Sequence, residues 1–250
     1  MRQSFRNIAR MILSRFNYGI FRLESAELFN FSNVLYLLLK EENHIRYLQI
    51  GANDGIMFDP MYEFVVRNHY HVSGLLVEPV EIYYQRLQKN YSNFTQITAI
   101  RKAIHNTEKS MKMFVARETG VSNLEKNISG MSSFSKEHLM QYGLLAETDI
   151  DEVNVQCSSV VELLQEYDFL DINLLVIDTE GYDFQILDSL DFDQIKPKVV
   201  RFEHGLSAGT MTSTELRYLC DKFNRFGYQV SIVNNDAIAI QTQFLMNCLD

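Results

Sequence analysis

Short apolar runs that alternate with helical segments are the feature that most constrains how this chain can fold. The apolar runs occupy residues 45–50, 72–77, 97–104, 172–178 and 199–203. Segments with apolar residues at helical spacing follow at residues 61–68, 80–90, 160–166 and 183–190. Strands that are apolar throughout are typical of a parallel sheet buried on both faces. We therefore predict an α/β fold.

The carboxyl-terminal part predicts a different ending to the sheet. Residues 213–226 have helical periodicity, with Ser213 or Thr214 as a cap and Gly227 after the last turn. Two apolar runs at residues 230–233 and 237–242 flank Asn-Asn-Asp, which indicates an antiparallel hairpin. A mostly parallel sheet closed by a terminal hairpin is the expected architecture.

The rhythm of strands and helices also suggests how the chain is divided. Residues 1–40 are predicted to form a helical lead-in, and residues 41–250 the main domain. Residues 107–153 interrupt the pattern with polar sequence, one apolar run at 111–115 and short helical stretches. This segment is either an insertion over the sheet edge or a surface excursion without a chemical role.

Charge separates the first residues from the rest of the chain. The protein has a formal net charge of −9, which argues against a nucleic acid as partner because phosphate binding needs clustered cations. Five arginines nevertheless lie in the first 22 residues without an acidic neighbour. They predict a helix whose arginines are solvated, or alternatively a basic amphipathic helix in peripheral contact with an anionic membrane.

The cysteines and the hydropathy pattern bear on location. The 3 cysteines contain no C-x-x-C pair, so neither a zinc site nor a disulfide framework is indicated. A reducing, cytoplasmic setting is the expectation. The sequence has no apolar run long enough to predict a membrane-spanning helix.

The first apolar run leads into the sequence Gly51-Ala-Asn-Asp-Gly55. A glycine turn at the carboxyl end of a parallel strand opens a ligand crevice, and glycines let a ligand approach the backbone. The spacing differs from the G-x-G-x-x-G of dinucleotide-binding proteins, so a pyrophosphate site is not indicated. A tight turn without a ligand is the alternative for this pattern alone.

Polar residues end two further strands on the same edge. Glu78 follows the second run, where a carboxylate can accept hydrogen bonds from a ribose diol or can simply lead into a helix. Asn106 follows the third run, as an amide partner for adenine or as a turn cap.

The last two runs end in groups that are able to take part in proton transfer. Asp178 and Glu180 follow the fourth run, and either carboxylate has helix capping as its alternative role. His204 follows the fifth run and is a candidate general base or a structural histidine. Together with Glu203 these groups are also ligand types for a divalent cation, but their spacing is not diagnostic and we predict no metal site.

At four stretches the sequence resembles the FkbM family of methyltransferases. The stretches are Ile-Gly-Ala-Asn-Asp-Gly at 50–55, Val-Glu-Pro at 77–79, Ile-Asp-Thr-Glu-Gly-Tyr-Asp at 177–183 and Arg-Phe-Glu-His at 201–204. The resemblance covers most of the chain after residue 47. It implies a class I methyltransferase fold, a Rossmann-like three-layer sandwich whose seven-stranded, mostly parallel sheet has an antiparallel last strand. It also implies S-adenosylmethionine as cofactor, and O-methylation of sugars, glycans or related products.

Carried over to this chain, the resemblance also assigns site residues. The turn residues Gly51, Asn53 and Gly55 would line the methionine end of the donor, and we include Asp54 of the same turn among the donor-binding residues. Glu78 would hold the ribose, while Asp178 and Glu180 would face the transfer site. Two positions depart from the family pattern: Gln49 stands where many members have an acid, and Asn106 where an aspartate is frequent.

These observations predict a methyltransferase acting on a hydroxyl of a small molecule or glycan. His204 or Asp178 is the expected base, and Glu180 is expected to orient the donor or acceptor. A non-catalytic scaffold with a degenerate donor pocket is the first alternative, favoured by the basic start of the chain. An NAD-dependent oxidoreductase is the second alternative, and both the glycine spacing and the terminal hairpin count against it.

Overall fold

A computed structural model describes residues 30–117, 131–140 and 145–248. Their helices are α1 (Phe31–Glu42), α2 (Tyr62–Asn68), α3 (Glu81–Asn90), α4 (Lys136–Met140), α5 (Val160–Glu166), α6 (Asp183–Ser189), α7 (Ser213–Arg225) and α8 (Thr242–Asn247). Their strands are β1 (Ile45–Ile50), β2 (Val72–Val77), β3 (Ile97–Ile100), β4 (Ala103–Ile104), β5 (Ser110–Ala116), β6 (Ser132–Ser133), β7 (Ile150–Ser158), β8 (Leu174–Ile177), β9 (Val199–Glu203), β10 (Tyr228–Val233) and β11 (Asp236–Gln241).

The main sheet has seven strands in the order β10-β11-β9-β8-β1-β2-β3. The five strands from β9 to β3 are parallel to one another. The last strand, β11, is antiparallel to β9 on one side and to β10 on the other. The predicted α/β fold with a mostly parallel sheet and an antiparallel last strand is therefore confirmed.

Both faces of the main sheet are buried, as the apolar runs predicted. In β1, Leu48 and Ile50 belong to the hydrophobic core that also contains residues of α5, α6 and α7. Ile45 and Tyr47 point to the opposite face and pack in a second core with residues of α1, α2 and α3. Alternate residues of one strand thus serve two cores, because successive side chains of a strand point to opposite faces.

A small second sheet, in the order β4-β7-β5-β6, corrects the prediction of one strand over residues 97–104. The chain leaves the main sheet at Arg101, which is exposed and forms an ion pair with Glu81. Ala103 and Ile104 then pair with β7 instead. Strand β7 was not predicted, since apolar residues alternate with polar ones in it and only one face is buried.

The carboxyl-terminal part differs from the prediction in two places. Helix α7 is capped by Thr212, whose hydroxyl accepts a hydrogen bond from the Glu215 amide at 3.2 Å, rather than by Ser213 or Thr214. Helix α8 follows directly where the last strand was expected to end. The predicted helix with five arginines lies outside the described residues.

None of the described helices combines the length and the apolar character needed to cross a membrane.

Candidate functional site

The carboxyl ends of β1, β2 and β8 border one cavity, which we call the strand-end cavity. Five residues predicted to act in the site line it together: Gly51, Asn53, Glu78, Asp178 and Glu180. The strands meet here because β1 is hydrogen-bonded to β2 on one side and to β8 on the other. The roles assigned to these five residues stay predictions.

Gly51 forms the closest approach between two of these strands. Its amide donates to the Val77 carbonyl at 3.0 Å, and the Asp178 amide donates to the Ile50 carbonyl at 3.0 Å. Gly51 has a φ of +80°, and an added Cβ would lie 1.7 Å from the carbonyl oxygen of Asp178. Glycine is required here by both the backbone conformation and the lack of space.

Glu78 connects the end of β2 to the turn after β1. One carboxylate oxygen accepts from the Asn53 amide at 3.0 Å, and the other accepts from the Val80 amide at 2.9 Å. Each oxygen keeps a second lone pair for a ligand, since a carboxylate accepts about four hydrogen bonds. Burial raises the pKa of Glu78 to about 7, and the two backbone hydrogen bonds oppose this shift.

Gln49 and Asp59 line the same cavity, although neither was assigned a role from the sequence. Gln49 is 2% exposed, and its side-chain amide hydrogen-bonds to Asp59. The carboxylate of Asp59 also accepts from the Met61 amide at 2.6 Å and from the Tyr91 hydroxyl at 3.3 Å. Within the described residues, Oε1 of Gln49 is buried without a hydrogen-bond partner. A polar residue inside an apolar strand was the sequence feature that could have revealed this position.

A group of carboxylates surrounds the end of β8. Burial, followed by the charges of Asp183, Glu203 and Glu180, raises the pKa of Asp178 well above its ordinary range. Burial also raises the pKa of Asp183 to about 6 and that of Glu203 to about 7. Asp183 accepts from the Thr179 amide at 2.9 Å and from the Glu203 amide at 3.0 Å, so it ties the loops after β8 and β9 together.

The segment at 107–153 contributes to the wall of the strand-end cavity. Met113 from β5, Ser132 from β6 and Phe134 line it. The Phe134 ring lies 4.9 Å from the ring of Tyr182, edge to face, and Tyr182 stacks on His105 at 5.7 Å. Residues of this segment therefore border the strand-end cavity, and its assignment as an insertion with a role in the site stays a prediction.

Four predicted residues do not line the strand-end cavity. Asp54 and Gly55 stabilise the turn behind it: Asp54 accepts from the Met57 amide at 2.8 Å, and a Cβ on Gly55 would lie 2.5 Å from Leu87. Asn106 is exposed. His204 is 3% exposed and points elsewhere.

His204 belongs to the junction between β9 and the terminal hairpin. Its amide donates to the Asn235 carbonyl at 2.8 Å, and its Nδ1 accepts from the Leu206 amide at 3.2 Å. Burial lowers its pKa, while a hydrogen bond to the Asn234 backbone and the charge of Asp236 raise it. These contacts give His204 a structural role at this junction, and its assignment as a general base stays a prediction.

A second opening, the side cavity, adjoins the strand-end cavity across Phe134 and Tyr182, which line both. His138 of α4 lines the side cavity and is 8% exposed. Its Nε2 lies 3.9 Å from the Glu180 carboxylate. This histidine was not identified from the sequence, since it lies in a polar stretch about 40 residues before Glu180.

Among the described residues, no three His, Cys, Asp or Glu side chains are arranged to hold a metal ion.

A known domain family, described as the methyltransferase FkbM domain, matches residues 49–230. No curated protein matches the sequence. Solved structures with a similar fold include precorrin-6y C5,15-methyltransferase from Geobacter metallireducens GS-15, at 12% identity and a TM-score of 0.40 over 82% of this chain and 84% of that chain. The delta-N METTL16 MTase domain has 10% identity and a TM-score of 0.43 over 96% of each chain. The human methyltransferase 10 domain containing protein has 10% identity and a TM-score of 0.43 over 83% of this chain and 80% of that chain.

Proposed function

Because this chain belongs to the FkbM methyltransferase family, whose members use S-adenosylmethionine, we propose that it methylates a hydroxyl oxygen of a sugar, a glycan or a related small molecule. The observation that supports this most directly is the convergence of Gly51, Glu78 and Asp178 on one cavity. In open α/β sheets, ligands bind at the carboxyl ends of the strands.

The residues of the strand-end cavity fit the chemistry of the donor. The remaining lone pairs of Glu78 suit a ribose diol, and the unpartnered Oε1 of Gln49 suits an ammonium group. The carboxylate of Asp59 beside it supplies the negative charge that is lost where Gln49 replaces the usual acid.

The donor supplies a methyl group on a positively charged sulfur, so the protein has to align the reactants and manage charge. Asp178 and Glu180 line the cavity with carboxylates, and we assign them to the side where the methyl group is transferred. Their negative charge complements a cationic donor, and a nearby cation would lower the raised pKa of Asp178. Phe134 and Tyr182 add aromatic surface to the lining of the same cavity.

Two measurements test the proposal separately. Calorimetry with S-adenosylmethionine and with its demethylated product tests the donor site. Binding of both is expected, and no binding of either would favour the non-catalytic scaffold.

Mass spectrometry of cell-surface glycans and small metabolites, from cells with and without the gene, tests the acceptor. The expected difference is the loss of one methyl group from a sugar oxygen. A methyl group lost from nitrogen, carbon or a compound without sugar hydroxyls would refute the acceptor class.

A further inference from the structure

We propose that Ser133 of the second sheet is a positioning residue for Glu180, and that it directs the Glu180 carboxylate toward the positively charged sulfur of the donor. This inference rests on the proposed methyltransferase function. Methyl transfer leaves the sulfur uncharged, so a carboxylate in this position favours the donor over its demethylated product. The role of Ser133 is therefore to help the site distinguish these two compounds.

Ser133 contacts Glu180 through a hydrogen bond from its side chain. The Ser133 hydroxyl donates to the Glu180 backbone carbonyl at 2.9 Å, and Ser133 is 4% exposed. The oxygen of the same hydroxyl accepts from the Ser135 amide at 3.3 Å. Because a hydroxyl has one hydrogen to donate and can accept as well, both bonds can form together. The hydroxyl of Ser133 thus joins β6 to the loop after β8.

The backbone conformation of Glu180 depends on contacts of this kind. Glu180 has a φ of +51°, in the left-handed region that is unfavourable for a residue with a Cβ. Gly181 follows with a φ of +103°, so the chain turns sharply at these two residues. A strained conformation persists only where the surrounding structure holds it. The hydrogen bond from Ser133 acts directly on the residue whose side chain lines the strand-end cavity.

The loop after β8 has a separate set of contacts next to Glu180. Asp183 of α6 accepts from the Thr179 amide at 2.9 Å, and the Thr179 hydroxyl accepts from the Tyr182 amide at 3.2 Å. The contact to Glu180 comes instead from Ser133 of β6, which pairs with β5 in the second sheet. Removing the Ser133 hydroxyl should therefore release Glu180 while the contacts of Thr179 keep the loop in place.

The side chain of Glu180 can present a negative charge to the cavity. It is 36% exposed and lines the strand-end cavity beside Asp178. Burial, followed by the charges of neighbouring carboxylates, raises the pKa of Asp178 well above its ordinary range. Asp178 therefore keeps its proton more readily than an ordinary carboxyl group does. The charge that favours a cationic donor accordingly belongs to Glu180, and its direction depends on the backbone that Ser133 holds.

Calorimetry with S-adenosylmethionine and S-adenosylhomocysteine tests the role of Ser133 without an acceptor. The two compounds differ only in the methyl group and its charge, so the ratio of their affinities reports the interaction with the sulfonium. We expect Ser133→Ala to lower the preference for S-adenosylmethionine about fivefold or more, and to leave the S-adenosylhomocysteine affinity within about twofold. Ser92→Ala is the matched control, because the Ser92 hydroxyl also donates to a backbone carbonyl, at 2.8 Å, and lines neither cavity.

A double-mutant cycle tests whether Ser133 acts through Glu180. Glu180→Gln should lower the affinity ratio at least as far as Ser133→Ala does, because it removes the charge itself. In the Glu180→Gln background, Ser133→Ala should change the ratio by less than about twofold, since no carboxylate remains to be positioned. A further fall as large as that in the wild-type background would mean that Ser133 acts by another route, and would overturn the assignment.

The outcomes also separate this inference from the proposed function. An unchanged affinity ratio in Ser133→Ala or in Glu180→Gln would overturn the positioning role while donor binding stands. Equal losses of both affinities in Ser133→Ala, together with a lower thermal midpoint, would identify a residue that only stabilises the fold and would overturn it too. Failure of both compounds to bind the wild-type protein would instead remove the proposed function.

Discussion

The variant Glu78→Gln tests how the donor is held. Both carboxylate oxygens of Glu78 already accept a backbone N–H, from Asn53 and from Val80. Glutamine has only one acceptor oxygen, so its amide group would face one of these donors. The substitution would also remove the negative charge that strengthens hydrogen bonds from a ribose diol.

Two hydrogen bonds to a charged acceptor are at stake, each worth about 1.5–3 kcal/mol. We therefore expect S-adenosylhomocysteine to bind Glu78→Gln roughly a hundredfold or more weakly than it binds the wild type. A pH effect should accompany this loss. The pKa of Glu78 is raised by burial to about 7, from an ordinary value of 4.5. If ribose hydrogen bonds restore the ordinary value, wild-type affinity should be about tenfold weaker at pH 6 than at pH 8.

Calorimetry between pH 6 and pH 8 measures both effects, and Glu63→Gln is a matched control because this side chain is exposed and does not line the cavity. The part of the pH dependence that disappears in Glu78→Gln belongs to Glu78. An affinity of the variant within twofold of the wild type, or an unchanged pH dependence, would refute the reasoning.

Three further predictions concern stability. In Gly51→Ala the new Cβ would meet the Asp178 carbonyl at 1.7 Å, so we expect loss of donor binding and a fall in unfolding free energy above about 3 kcal/mol in urea titrations. Gly227→Ala, with a φ of +81° and no atom within 4 Å, should lose only about 1–2 kcal/mol; equal losses would contradict the steric argument. Asp183→Ala leaves two partly buried backbone amides unpaired and should lose about 3 kcal/mol at pH 5, where the carboxyl is mostly protonated. A loss below about 1 kcal/mol would be inconsistent with this. Burial raises the pKa of Asp183 to about 6 and that of Glu203 to about 7, so the folded state binds protons more tightly than the unfolded state. The thermal midpoint should therefore fall as the pH rises from about 5 to 8. A midpoint that rises over this range would exclude these two carboxyl groups as the cause of the pH dependence.

The parallel core of the fold could be predicted because its strands are apolar throughout. A strand such as β8, with all four residues buried, has no polar position that could be mistaken for a surface. The second sheet could not be predicted in the same way. In β7 the apolar residues Val153, Val155 and Cys157 alternate with polar ones, and the strand begins inside the polar segment at 107–153, so no continuous apolar run indicates it.

The position of a site residue could be predicted from the sequence only where that residue directly follows a parallel strand. Gly51, Glu78 and Asp178 end parallel strands, and the ends of neighbouring parallel strands must lie at one edge of a sheet. His204 also ends a strand, but it turns toward the terminal hairpin. His138 reaches Glu180 only through tertiary packing, which no local pattern in the sequence indicates.

The rings of Phe134 and Tyr182 lie between the strand-end cavity and the side cavity, and they come from different parts of the chain. Phe134 comes from the inserted segment and Tyr182 from the loop after β8, and each faces both chambers. Tyr182 follows a strand of the buried main sheet, whereas Phe134 follows β6, a two-residue strand that pairs with β5. An exchange of the inserted segment would therefore reshape both cavities while the ends of β1, β2 and β8 stay in place.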